Sequence, residues 1–410
     1  LEKKEHTGPH KMKHFPKTFL GNLSMVNVAV MLLIFSAGIL LGRVDIAGVR
    51  DRVYRTSTQN NLPEKLDYSG IEEVYADLKA GFDGDLDENK LEDGLKQGLV
   101  RAAGDPHTEY LNAEASKEFE ESLNGSFEGI GAELSKEKES IVIVAPIAGF
   151  PAEKAGLQPK DIVAEVDGET LYDMSVSEAV KKIRGPKGTS VKLGIIRDGK
   201  KLDFQITREQ ISIPSVTSEV ADGNIGIIKI SRFGPDTTQL ARKAAADLKS
   251  KNVKGVVLDM RSNPGGLLDS AVEVSSLWLE KDKLILEEKR AGKVVKTFTA
   301  KGNPVLLGVP TVVMINEGSA SASEIVAGAL KDNNAASIVG QKSYGKGSVQ
   351  EIRTLSDGGS LKVTIARWFT PAGRNIDKEG IEPDQKVEIS EDDSKAKRDP
   401  QKDAALSKLR

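Results

Sequence analysis

The sequence has no cysteine, which excludes thiol proteases, cysteine zinc sites, disulfides and a lipid-modified anchor cysteine. Histidine is nearly as scarce. There are four, and His6, His10 and His14 crowd the N-terminus, leaving His107 alone in the body of the chain. A histidine zinc cage is therefore out, and a Ser-His-Asp triad would have to use that one imidazole. Basic charge is not in excess either: 58 Lys and Arg against 61 Asp and Glu leave a formal net charge of −3. No nucleic-acid partner is expected from that balance, and no pattern calls for a metal or another cofactor. What is present is ample: 410 residues, 39% of them hydrophobic, suit two to three domains at about 150 residues each.

Residues 18–42 carry no charge, and 23–41 are largely apolar (LSMVNVAVMLLIFSAGILL). As a helix this run is long enough for roughly 30 Å of hydrocarbon. Lys3, Lys4, Lys11, Lys13 and Lys17 precede it against Glu2 and Glu5, whereas the charges that follow nearly balance. The lysine excess predicts a single-pass protein of the cell membrane, with 1–17 a cytoplasmic tail, 18–43 a transmembrane anchor and the remainder periplasmic or extracellular. A cleaved signal peptide is the main rival. Its small-residue site, Ala37-Gly38, lies inside the apolar run, which favours retention.

Residues 45–115 read as a helical region. Ile71, Val74, Tyr75 and Leu78 share one face, and Leu91, Leu95 and Leu99 share another. Asp83, Asp85 and Asp87 imitate the opening of a calcium loop, but Glu88 and Gly94 stand where that loop needs glycine and glutamate. From 116 to 208 short β-type runs alternate with Gly and Pro turns around one helical pattern at 177–183. Two glycines in Gly129-Ile130-Gly131 stand just before a strand, where backbone N–H groups can turn toward an anion and an exposed edge can accept a peptide. With Ala145-Pro146, the run from Pro151 to Leu157 and Asp161-Ile162-Val163, the segment resembles a PDZ domain. That resemblance implies capture of an apolar peptide C-terminus, its carboxylate on Gly129, Ile130 and Gly131.

From 209 to 390 apolar runs (226–230, 256–260, 311–315, 362–368) alternate with helical patterns near 236–250, 267–280 and 320–331, which predicts an α/β core. Three loops there carry chemistry. In Asn263-Pro264-Gly265-Gly266 small residues expose backbone N–H groups, as an oxyanion hole requires, although an ordinary strand–turn–helix would look the same. In Ser319-Ala320-Ser321-Ala322-Ser323-Glu324 a serine at a helix start sits where partial positive charge favours an anion, yet plain capping also uses serine. The three serines cannot all point one way, because successive helical residues differ by about 100°. In Gly345-Lys346-Gly347 a lysine lies between two strands. Such a residue acts as a base only when burial or neighbouring cations keep it neutral. Gln350, an even number of residues on, would share its face on a strand. The mixed-charge stretch 391–410 is expected to form a mobile tail or a short docking helix.

The order PDZ, NPGG, SASASE, GKGSVQ, together with GDPHTEY at 104–110, RWFTPAG at 367–373 and GIEPD at 380–384, resembles the carboxy-terminal processing peptidases, the S41 family of Ser-Lys endopeptidases. The resemblance implies a crotonase/Clp-protease-like core with an inserted PDZ domain. It implies Ser321 as nucleophile, Lys346 as base and Gln350 as support, with oxyanion donors from Ala322 and the Gly265-Gly266 turn. Asp332 matches an acidic position with a supporting role. A homodimer or an adaptor protein would be the further partner. Two other readings stand beside this one: a catalytically silent, PDZ-bearing membrane adaptor, and a histidine-type protease using His107.

Overall fold

The computed structural model describes residues 62–410, so the expectations for 1–17 and 18–43 lie outside the described residues. Among the described residues no helix is long and apolar enough to cross a membrane. The chain divides into two compact units, one ending at Leu86 and the other covering Asp87–Arg410. The described part of the first holds the helix Ser69–Gly81, whose Ile71, Val74, Tyr75 and Leu78 are all exposed.

The second unit begins with the helix Glu88–Arg101, capped by Asp87, whose carboxylate accepts from the Lys90 N–H. The helical reading of 45–115 fails at its end. Pro106 interrupts the pattern, and Glu109–Leu111 is a strand, with Tyr110 buried and its hydroxyl donating 2.7 Å to Asp93. The helix Ala113–Asn124 follows, closed by Gly125 in the left-handed conformation.

The PDZ-like segment is inserted on a two-stranded stem, Ser126–Gly129 paired with Glu209–Ser212. Beyond the stem lies an antiparallel sheet in the order Ala132–Glu137, Ser140–Pro146, Ile162–Val166, Ser190–Arg197, Lys200–Thr207. Its core gathers Ile141, Ile143, Leu171, Leu193 and Ile195, with Ala179 and Ile183 supplied by the helix Val176–Ile183.

The α/β core is a six-stranded sheet in the order Val216–Ala221, Ile225–Ile230, Gly255–Asp259, Thr311–Ile315, Ser337–Gly340, Gln385–Lys386. It is parallel except for its first pair. Its central strands are continuous apolar runs because both faces are covered. Val256, Leu258, Val313 and Ile315 pack with residues of the helices Thr237–Ser250, Leu268–Ser275 and Ala322–Asp332. Val257, Val312 and Met314 pack with Ala405 and Leu406 of the helix Pro400–Leu409. Within the 391–410 stretch a short helix, Glu391–Lys395, buries no residue, and Pro400–Leu409 is a docked helix rather than a mobile tail. Arg261 fastens it, reaching both Asp259 and Asp399 at 2.8 Å. The run expected at 362–368 does not join the parallel sheet. As Ser360–Phe369 it forms a second, antiparallel sheet with Ser348–Thr354, Leu284–Arg290 and Glu109–Leu111.

Candidate active site

Gly255–Asp259, Thr311–Ile315 and Ser337–Gly340 are neighbours in the parallel sheet. The loops leaving their carboxyl ends are those that carry Gly265-Gly266, Ser321 and Lys346. Open α/β sheets place their functional loops at that end of the strands.

Ser321 stands at the N-cap of the helix Ala322–Asp332 with φ 53° and ψ −112°, a region costly for a residue with a Cβ. Its N–H donates 2.7 Å to the Glu324 carboxylate. The flanking serines are fully buried, and their hydroxyls are engaged elsewhere. Ser319 donates to the Met260 carbonyl at 2.8 Å and accepts from the Asn316 N–H, while Ser323 donates to the Asn263 carbonyl at 3.0 Å. Ser323 thus ties down the start of the Asn263-Pro264-Gly265-Gly266 turn, and Ser319 holds Met260 just ahead of it. Ser321, by contrast, is partly exposed.

Gly265 has φ +101°, and a Cβ there would lie 2.8 Å from the Ser321 Cβ and 3.0 Å from the Ala322 nitrogen. Only glycine lets this turn approach so closely. The Gly265 N–H donates to the Asn263 side-chain oxygen at 2.9 Å, which takes it out of consideration as an oxyanion donor and leaves Gly266 from the expected pair. Asn263 is fully buried and anchored in turn by donating to the Ile230 carbonyl. The Ala322 N–H opens the helix, where donors have no partner within the helix.

Lys346 lies in an irregular loop before the strand Ser348–Thr354. Its N–H donates 3.0 Å to the Glu324 oxygen that also receives the Ser321 N–H, so the two backbone nitrogens are within about 6 Å of each other. The other Glu324 oxygen accepts from the Ser343 hydroxyl at 2.6 Å and the Gly345 N–H at 2.7 Å. The Lys346 carbonyl accepts from the indole of buried Trp368. Burial, and secondarily the charge of Lys362, hold the Lys346 amine below the usual lysine range, with Glu324 and Asp105 opposing. Among the described residues no carboxylate forms an ion pair with it. Burial pushes the Glu324 carboxyl up, against its four donors.

Gln350 does not share a strand face with Lys346, because Lys346 precedes the strand and a bulge falls between Val349 and Gln350. Its amide donates to Ser348 at 2.7 Å and Thr364 at 3.3 Å. Asp332 stands at the far end of the Ser321 helix, roughly 15 Å away at 1.5 Å per residue, and holds the 372–374 turn through the Ala372 N–H and Arg374. Its expected supporting role at the site is not met. His107 is half-buried, and burial, then Lys346, holds its imidazole below the usual range. Glu324 had no assigned part in the sequence reading. The signal for it was there: Ser321 and Glu324 are spaced as a capping box. Among the described residues no cluster of three His, Asp or Glu is arranged to hold a metal ion.

In the PDZ-like segment Gly131 has φ +75°, and a Cβ would strike the Phe150 Cβ at 2.6 Å. The Ile130 and Gly131 carbonyls accept from Ala152 and Ile147, while their N–H groups bond to no described residue. Gly129 ends the stem strand. Next to this loop Ala132–Glu137 is an edge strand, packed by the helix Val176–Ile183. An unpaired edge of this kind can accept an added strand.

Residues 224–387 match the sequence profile of "Peptidase family S41", and 120–196 that of "PDZ domain". The carboxy-terminal processing protease CtpA of Bacillus subtilis is 39% identical over 78% of this chain and 69% of its own length. A CtpA-like serine protease of Staphylococcus haemolyticus is 38% identical over 79% of this chain and 65% of its own. The chain spans about two thirds of the length of both relatives. A solved S41 protease from Bacteroides fragilis shares the fold, with TM-score 0.51 and 17% identity over 80% of this chain and 92% of that one.

Proposed function

Since the chain belongs to peptidase family S41 and carries a PDZ domain, we propose that it cleaves exported proteins near their C-termini through a Ser321–Lys346 dyad. Neutral Lys346 takes the Ser321 proton as the oxygen attacks the scissile carbonyl, and the tetrahedral oxyanion is received by the N–H groups of Gly266 and Ala322. The ammonium so formed passes its proton to the leaving amine, and the acyl-enzyme is then hydrolysed. Gln350 supports the site from the strand that follows the Lys346 loop; Ser348 and Thr364 engage both its amide protons, which leaves its carbonyl oxygen as the acceptor it can offer.

One observation carries the reading: a single Glu324 oxygen binds the N–H of Ser321 and that of Lys346, tying nucleophile loop to base loop beside the Gly265-Gly266 turn. Purified Ser321→Ala and Lys346→Ala are each expected to lose all cleavage of a protein with an apolar C-terminus. A serine-reactive probe should label the wild type and not Ser321→Ala; failure to label the wild type would favour a silent adaptor. Wild-type activity should rise with pH as the amine sheds its proton and be weak in acid.

Substrate C-termini would dock on Gly129, Ile130 and Gly131 and extend the Ala132–Glu137 edge. The PDZ domain meets the helix Ala113–Asn124 through the exposed pair Lys181–Glu114, worth about 0–1 kcal/mol, and the half-buried, 3.4 Å pair Arg184–Glu121. Such weak ties allow docking to move the domain and align the site. The uncharged run 18–42, preceded by lysines, supports an anchor in the cell membrane with the peptidase outside. Resistance of the membrane-bound chain to carbonate extraction tests this.

A further inference from the structure

We infer that the segment 105–111, which lies outside both profile matches, is a positioning element of the peptidase site, with Thr108 and Asp105 holding Gln350 in place through Thr364. This rests on the Ser321–Lys346 reading. Glu109–Leu111 pairs antiparallel with Ser360–Phe369, Glu109 opposite Lys362. Just upstream, the Thr364 N–H donates 3.2 Å to the Thr108 hydroxyl, and that hydroxyl donates 2.6 Å to Asp105. Thr364 stands opposite Gln350 in the neighbouring pairing, and its hydroxyl accepts from the Gln350 amide at 3.3 Å. Asp105, Thr108, Thr364 and Gln350 are therefore linked in series, Thr364 using its N–H on one side and its hydroxyl on the other.

The same segment shapes the charge around Lys346. The charged and titratable groups acting on that amine are Lys362 from the antiparallel sheet, Glu324 from the Ser321 helix, and Asp105 and His107 from this segment. Lys362 is itself paired with Glu109 at 3.2 Å, and Arg367 and Asp377, 3.0 Å apart, stand near His107. A negative Asp105 favours the protonated amine. Its removal should make Lys346 easier to deprotonate.

The test is the pH dependence of kcat and KM for cleavage of a peptide with an apolar C-terminus by the purified chain, with melting temperatures alongside. Thr108→Val should lower kcat about fivefold to tenfold with KM nearly unchanged, as expected for one lost hydrogen bond at the site. Thr108→Ser should restore it. Asp105→Asn keeps an acceptor for Thr108 and should move the acid limb of the profile to lower pH. A merely structural segment would move melting temperature and leave that limb alone. Wild-type kcat in Thr108→Val, or an unmoved limb in Asp105→Asn, overturns the inference while inactive Ser321→Ala keeps the dyad standing. Activity in Ser321→Ala overturns both.

Discussion

An ordinary lysine in water stays protonated until about pH 10.4, and a protonated amine cannot accept a serine proton. Lys346 departs from that through burial and the nearby Lys362 charge, and the departure has a cost in stability. The folded chain binds the lysine proton more weakly than the unfolded chain does, so at low pH protonation favours unfolding. That cost fades as pH approaches the unfolded lysine value. Lys346→Met, which keeps the apolar stem and removes the charge, should therefore abolish cleavage yet raise the melting temperature at about pH 6. The gain should shrink steadily toward about pH 10. Calorimetry of both proteins across that range checks it, and a lower melting temperature for the variant at acid pH would put the ammonium in solvent.

Among the elements, the helix Ala322–Asp332 is the one on which the site is organised. Residues Ala322–Leu330 are all buried, so its position is set by packing, and its first turn presents Glu324 to four donors from two loops. Glu324→Gln tests that arrangement. Whichever way the amide is turned, its NH2 faces at least one fixed N–H donor, those of Ser321 and Lys346 or that of Gly345, while the Ser343 hydroxyl can turn to accept. Leaving buried groups unpaired costs about 1–3 kcal/mol each. The variant should melt lower and lose most of its kcat, while peptide binding to the distant PDZ edge strand, followed by titration calorimetry, should be unchanged.

For the molecule as a whole, the stem decides how separable the PDZ domain is. Ser126 stands opposite Ser212, and at its base the Ile213 N–H donates to the Gly125 carbonyl at 2.9 Å. The insertion leaves and returns at nearly the same point. Replacing residues 127–211 with a short glycine-serine turn should therefore keep the peptidase core folded, as seen by its thermal transition. Discrimination between apolar and charged substrate C-termini should be lost. Equal discrimination before and after excision would rule out docking on that domain.

Much of this architecture is local and was legible in the residues. Apolar runs marked the parallel strands at 311–315 and 256–260 because both faces of such strands are buried. Glycines marked the turns at 131 and 265–266, whose positive φ no other residue adopts at low cost, and the alternation of the SASAS run showed that its three serines cannot all point one way. What remained hidden depends on contacts between residues distant in the chain. Nothing near Ser360–Phe369 says that it leaves the parallel sheet, or that Glu109–Leu111, some 250 positions earlier, completes its partner sheet. The even spacing of Lys346 and Gln350 suggested a shared face, and only the bulge at Val349 and the irregular loop removed it. That Asn263 consumes the Gly265 N–H and Glu324 joins two loops is equally a matter of tertiary placement. Sequence periodicity and turn chemistry determined which elements exist, since they act over a few residues. Packing of those elements decided which hydrogen-bonding groups remain free for chemistry, because each such group is satisfied by a neighbour that the chain order does not reveal.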